Sequence, residues 1–166
     1  KLRLSVGRNM TAGFRADVRR PGFYDEWTLT IMGQAAKRFS VGVSDLSVKI
    51  GGNQAPIWQF GVRGDYRVYD RGRVWLDLGL GVAMQVATGS STAALDPAGA
   101  PFRSKARFGA IPYGQLDLRV FVLDRLSLDL VPRLSVPLTT RYYSAQRALP
   151  RYAPSLELGA GISTFF

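Results

Sequence analysis

The chain has 166 residues, enough for one domain, and carries 22 Lys+Arg against 12 Asp+Glu, with no Cys and no His. The missing cysteines exclude a disulfide framework and thiolate metal sites, and the missing histidines remove the commonest general base and metal ligand. No apolar run reaches 18 residues, so no transmembrane helix is expected.

The dominant hydrophobic period is two, the mark of strands. Leu2, Leu4 and Val6 alternate with Arg3, Ser5 and Gly7. Trp27, Leu29 and Ile31 alternate with Thr28, Thr30 and Met32. A third strand carries Phe39, Val41 and Val43, then Leu46, Val48 and Ile50. Its one-residue phase slip near Ser44 and Asp45 reads as a β-bulge. Trp58, Phe60, Val62, Tyr66 and Val68 alternate with Gln59, Arg63, Asp65 and Arg67. From Val74 to Val86 the alternation runs unbroken for 13 residues. That is too long for an ordinary soluble strand and long enough to cross a bilayer at a tilt. Leu116 to Val122, Leu126 to Val136 and Leu156 to Ile162 repeat the pattern.

These make eight strands. The connections after the second, fourth and sixth are short, at residues 34–37, 70–73 and 123–125. Those after the first, third, fifth and seventh span residues 10–24, 51–56, 88–106 and 139–151 and are mostly longer. Short turns on one side and longer loops on the other is the asymmetry of outer-membrane barrels. It places both termini on the short-turn, periplasmic side and the long loops outside the cell. The expected fold is all-β: one domain over residues 1–166, an eight-stranded antiparallel up-and-down transmembrane β-barrel. No leader is visible at Lys1, so the chain reads as a mature form.

The two faces distinguish a membrane barrel from a soluble one. The polar face carries Arg3, Arg63, Asp65, Arg67, Asp77, Asp117, Arg119, Asp129, Arg133 and Glu157, five bases and five acids. A neutral set suits a closed lumen, where unpaired charge is costly. The other face is almost purely Leu, Val, Ile, Phe and Trp, over an area no soluble monomer leaves exposed. Eight strands leave an interior only wide enough for side chains to fill, so a plugged cylinder is expected rather than a wide pore. Trp75, Phe121 and Phe165, with Tyr69, share the inward phase near the short-turn end as an aromatic floor. Trp27, Phe39, Trp58, Tyr66 and Phe166 fall at strand ends on the outward phase, as in the aromatic girdles of membrane barrels.

The chain ends Gly-Ile-Ser-Thr-Phe-Phe. A last alternating strand closing on a C-terminal Phe resembles the terminal signature of bacterial outer-membrane proteins. With the topology, the whole chain resembles the small OmpX/Ail or OmpA transmembrane-domain type. The resemblance implies that Phe166 is read by the barrel-assembly machinery during biogenesis, and that outer-membrane lipids and lipopolysaccharide are the surrounding partners.

Three functional expectations follow. Arg15, Arg19, Arg20, Arg103, Lys105, Arg107, Arg141, Arg147 and Arg151 concentrate in the long loops. Arg grips phosphate bidentately, so these residues suit lipopolysaccharide or another polyanion. Nucleic acid is not expected, because no recognition fold appears. Pro112, Pro132, Pro137 and Pro154 fall in the last three strands and would interrupt ladders, opening a lateral gap. A similar proline-flanked opening is implied in the lipid A palmitoyltransferase barrel, whose His this chain lacks. A narrow channel or lateral portal for small or apolar molecules is thus the alternative to a structural or binding role. No catalytic residues, no cofactor and no metal site are expected, since a Ser nucleophile has no His base here. Oligomeric state stays open.

Overall fold

A computed structural model describes residues 1–13, 23–49, 57–87, 107–139, 141–144, 147–149 and 152–166. Eight strands close into a barrel: β1 (Leu2–Gly13), β2 (Phe23–Ala36), β3 (Phe39–Lys49), β4 (Ile57–Arg71), β5 (Val74–Ala87), β6 (Arg107–Leu123), β7 (Leu126–Ser135) and β10 (Ser155–Phe165). All pairs are antiparallel, consecutive barrel strands are neighbours, and β1 closes on β10. The all-β, eight-stranded up-and-down fold expected from period two is therefore the fold observed.

The turns explain the hairpins. Lys37–Arg38, Gly72–Arg73 and Asp124–Arg125 each form a tight turn. Gly72 has φ 57°, a region where a side chain is penalised and glycine is not. The first loop is narrower than expected, because β1 continues to Gly13 and β2 begins at Phe23. Residues 139–151 are not wholly loop. They contain a hairpin of β8 (Arg141–Ser144) and β9 (Arg147–Leu149), and β8 lies against β4, β5 and β6. Strands of four and three residues are too short to show a period.

Burial is inverted relative to a soluble protein. Among the described residues, seven buried side chains are apolar, Pro137 included, and twenty are polar or charged. Leu80 is 67% exposed and Val62 62%, while Arg119 is 0% exposed and Asp65 1%. The β-bulge read at Ser44 and Asp45 is present. The β2–β3 and β3–β4 registers both shift there, and Asp45 adopts φ 56°.

Two expectations are corrected. Tyr69 is 44% exposed and leaves the aromatic floor, because a register shift between Arg67 and Tyr69 reverses the phase of β4. The lateral gap at Pro112, Pro132, Pro137 and Pro154 does not open among the described residues. Pro137 lies just beyond β7 and Pro154 just before β10, outside the ladders, and the Pro137 carbonyl accepts the Tyr152 N–H at 2.7 Å. Pro112 and Pro132 do lie in strands, yet β7 pairs with β10 without interruption from Ser135 to Leu126. Between β6 and β7 the pairs Leu116–Pro132 and Asp117–Val131 are missing from a register that resumes at Leu118–Leu130 and shifts once more between Phe121 and Leu123 beside the turn. Past Tyr113–Ser135, the Pro112 carbonyl accepts the Val136 N–H at 3.0 Å. Each of the two in-strand prolines costs a bond and leaves the seam in place.

Candidate functional site

The polar lumen is the densest chemistry in the molecule, and it is built in tiers. Alternation on β1, β4, β5, β6 and β7 sends Arg3, Arg63, Asp65, Asp77, Asp117, Arg119 and Asp129 inward, and all seven are buried. Asp77 and Asp117 are direct cross-strand partners, an arrangement that repels on its own. The Arg119 guanidinium bridges them, donating Nη1–H to Asp77 and Nη2–H to Asp117. Arg3 donates to Asp65 at 2.7 Å, and Arg63 donates to the same carboxylate at 3.0 Å. Arg67, part-buried, donates Nε–H to Asp77 at 3.2 Å. Asp129 accepts from Ser127 at 2.7 Å and from Ser163.

The second tier lies toward the long loops and centres on Arg133. Its Nη1 donates to Asp45 at 2.6 Å, and its Nε and Nη2 both donate to Gln115. Glu157 stands 3.8 Å from Nη1 and accepts from Ser135 at 2.6 Å. Asp45 also accepts from Tyr113 at 2.7 Å and from Ser44 at 2.8 Å, and the guanidinium lies 4.0 Å over the Tyr113 ring. Beyond this tier Gln85 donates to Gln59 at 2.6 Å.

Glycines make the room. A Cβ on Gly81 would lie 2.6 Å from the Tyr113 ring, and one on Gly79 2.7 Å from Asp65. At the short-turn end Trp75, Phe121 and Phe165 pack at centroid distances of 4.4, 5.2 and 5.5 Å, with the Arg67 guanidinium 3.5 Å over Trp75. The cavity at the edge of the network, beside Ser5, Thr28, Thr30, Asp117 and Asp129, measures about 40 Å³, the room of one or two water molecules.

The ten charged residues read from the alternating pattern thus sit in one connected interior. Sequence reasoning missed an eleventh. Asp45 is 1% exposed, and a strict period-two reading assigns it to neither face because it occupies the bulge. With Asp45 the described lumen holds five bases and six acids, so it is not neutral. The remaining 17 bases and 6 acids leave +11 for the rest of the chain. The short-turn end shares that excess, with Lys37, Arg38, Arg71, Arg73 and Arg125 against Asp70 and Asp124. Gln59, Gln85 and Gln115 share the inward phase but were not among the candidate network residues, because amides carry no charge pattern.

Of the basic loop residues, Arg15, Arg19, Arg20, Arg103, Lys105 and Arg151 lie outside the described residues. Arg107, Arg141 and Arg147 are placed in strands by their backbones, and their side chains lie outside the description. Phe166 is 67% exposed and exchanges backbone hydrogen bonds with Leu2 at 2.9 and 3.1 Å.

No protein-family model and no curated protein sequence matches the chain. Solved structures do. Neisserial surface protein A aligns with a TM-score of 0.61 at 15% identity, covering 99% of this chain and 97% of that one. The N-terminal β-barrel domain of Pseudomonas aeruginosa OprF aligns at 0.59 and 10% identity, with the same coverage. Ail, the attachment invasion locus protein of Yersinia pestis, aligns at 0.53 and 10% identity, again over 99% and 97%. At such identities the likeness is one of fold: this chain has the small eight-stranded barrel architecture of these outer-membrane proteins.

Proposed function

We propose that the chain is an integral bacterial outer-membrane protein with a structural and binding role. In this reading the apolar exterior meets lipid, the charged lumen is a plug, and the basic loops outside the cell contact lipopolysaccharide or another polyanion. The observation that carries it is the inverted burial. A continuous exterior of exposed Leu, Val, Ile and aromatic side chains surrounds an interior of ion pairs, and water is a poor solvent for such an exterior. Strands of 10 to 17 residues rise about 25 Å or more along the axis at roughly 3.3 Å per residue and a tilt near 40°. That approaches the hydrocarbon thickness of a bilayer, about 30 Å.

Fluorescence tests the membrane assignment directly. The three tryptophans divide by face: Trp27 and Trp58 are exposed on the barrel wall, while Trp75 packs against Phe121 and Phe165. After refolding into phospholipid vesicles, acyl-chain-brominated lipid should quench a Trp58-only variant strongly and a Trp75-only variant weakly. The reverse order would overturn the reading. For the loops, Gln at Arg15, Arg19, Arg20, Arg103, Lys105, Arg107, Arg141, Arg147 and Arg151 should weaken lipopolysaccharide binding, and unchanged binding would remove that role. The channel reading predicts steady conductance in planar bilayers; the plug predicts none. Arg119, fully buried across the lumen, favours the plug.

A further inference from the structure

The β2–β3 and β4–β5 turns are neighbours on the rim, and they do not end level. β3 pairs with β4 as far as Phe39–Tyr66, and the Arg38 carbonyl accepts the Arg67 N–H at 2.8 Å. From Val68 to Arg71 the strand runs on, paired with β5. At roughly 3.3 Å per residue, that stretch carries the β4–β5 ribbon about 13 Å past the β2–β3 turn. A step is left in the rim, with Lys37 and Arg38 on its low side and the end of β4 on its high side. The register shift between Arg67 and Tyr69 dresses the step. It turns Tyr69 outward beside Val68, so that both are exposed, and Arg71 pairs with Val74 on the same outer face. Next to them Phe39 and Tyr66 are direct cross-strand partners, both exposed, and Val41 and Val62 continue the apolar wall. Lys37, Arg38 and Arg71 are exposed. Among the described residues neither arginine side chain has an ion-pair or hydrogen-bond partner, and the acid beside them, Asp70, stands 3.6 Å from Arg67.

We propose that this step docks an anionic phospholipid of the leaflet bordering the short-turn end. The phosphodiester lies against Arg38 and Arg71, with Lys37 adding charge, and the acyl chains run along Phe39, Tyr66 and Val41. The proposal rests on the membrane reading above and adds a second lipid contact, at the end opposite the long loops. Each half of the lipid answers a feature of the step. Arginine grips a phosphate bidentately, and the wall beside it takes the chains. A zwitterionic lipid covers the wall equally, but its own ammonium opposes the arginines. Free phosphate satisfies the arginines and leaves the wall bare.

Bromine quenching at one wall position reports which lipid sits there. The reporter is Phe39→Trp, which keeps an aromatic ring, in a full-length chain that also carries Trp27→Phe and Trp58→Phe. Trp75, packed against Phe121 and Phe165, remains as internal background. The barrel is refolded in phosphatidylcholine vesicles with a minor fraction of either acyl-brominated phosphatidylglycerol or acyl-brominated phosphatidylcholine. Phosphatidylglycerol should quench position 39 as though enriched there about fivefold. Arg38→Gln and Arg71→Gln should each lower that enrichment at least about twofold. Arg125→Gln, an equal loss of charge on the β6–β7 turn, should leave it unchanged. Equal quenching by the two brominated lipids overturns the proposal. So does an equal response to Arg125→Gln and Arg71→Gln, which would make the attraction a property of the whole rim. If Trp58-only protein is quenched and position 39 shows no lipid preference, this proposal falls alone. If neither position is quenched by either lipid, the membrane reading falls and takes the proposal with it. Circular dichroism checks that each variant is folded. Should Phe39→Trp not fold, Val41→Trp on the same wall serves as reporter.

Discussion

Two tiers of the lumen reach the same filled interior by different means. The Arg119 tier is nearly all charge. Asp77 and Asp117 oppose each other across the β5–β6 ladder; the Arg119 guanidinium hydrogen-bonds both, and Arg3 stands 3.7 and 3.9 Å from them. The Arg133 tier mixes one cation with neutral groups. Gln115, Tyr113, Ser44 and Ser135 share the hydrogen bonding with Asp45 and Glu157. The first tier follows from alternation alone, whereas the second depends on a bulge that turns Asp45 inward. Charge that depends on one hydrogen-bonded bridge is fragile; charge shared among neutral partners is tolerant.

That contrast breaks most visibly at Arg119. Replacing it with Met leaves two facing carboxylates without their hydrogen-bonded bridge, held by Arg67 on Asp77, Arg63 on Asp117 and Arg3 at longer range, in a site of low dielectric. Losing one partner of such a buried set costs about 3–5 kcal/mol. The urea midpoint of the refolded barrel should fall accordingly. Adding Asp77→Asn and Asp117→Asn should recover most of the loss. If the triple variant is no more stable than Arg119→Met, the two carboxylates are not what the guanidinium neutralises.

The second tier should respond more gently. Asp45→Asn keeps a side chain that tolerates φ near 56° and can hold its amide oxygen toward Arg133 while its NH2 donates to the Tyr113 and Ser44 hydroxyls, which turn to accept. It removes only the charge facing Arg133, which retains Gln115 and, at 3.8 Å, Glu157. A loss of about 1–2 kcal/mol is expected, as for one charge-assisted hydrogen bond weakened to a neutral one. A loss equal to that of Arg119→Met would erase the distinction between the tiers.

The same contrast separates what was legible in the sequence from what was not. Arg119, Asp117, Asp77 and Asp129 were readable because a strand's period is two and nothing interrupts it around them. The fold was readable for the same reason, together with the alternation of short and long connections. Asp45 was not, although the phase slip beside it was visible. A bulge says that one residue is extra and leaves open which one turns inward. Tyr69 was misplaced by a second register shift that leaves no mark in the hydrophobic pattern, since Val68 and Tyr69 are both apolar and both exposed. The β8–β9 hairpin is a product of tertiary placement, with no local signature at all.

The smallest effect is expected at the seam between β6 and β7, where Pro132 lacks the N–H that the register asks for. The intact pairing with β10 shows that the missing donor faces β6, opposite Leu116. Pro132→Ala adds that donor, worth about 1 kcal/mol as one ladder bond. It also frees the unfolded chain, which costs about 0.4–1 kcal/mol. The two nearly cancel, so the urea midpoint should shift by less than about 1 kcal/mol in equivalent stability. Hydrogen exchange separates the two contributions, because only the first changes the folded state. The new amide at position 132 should be protected like its neighbours in β7. Rapid exchange there would mean that β6 and β7 part at this point, and that the proline marks an opening after all.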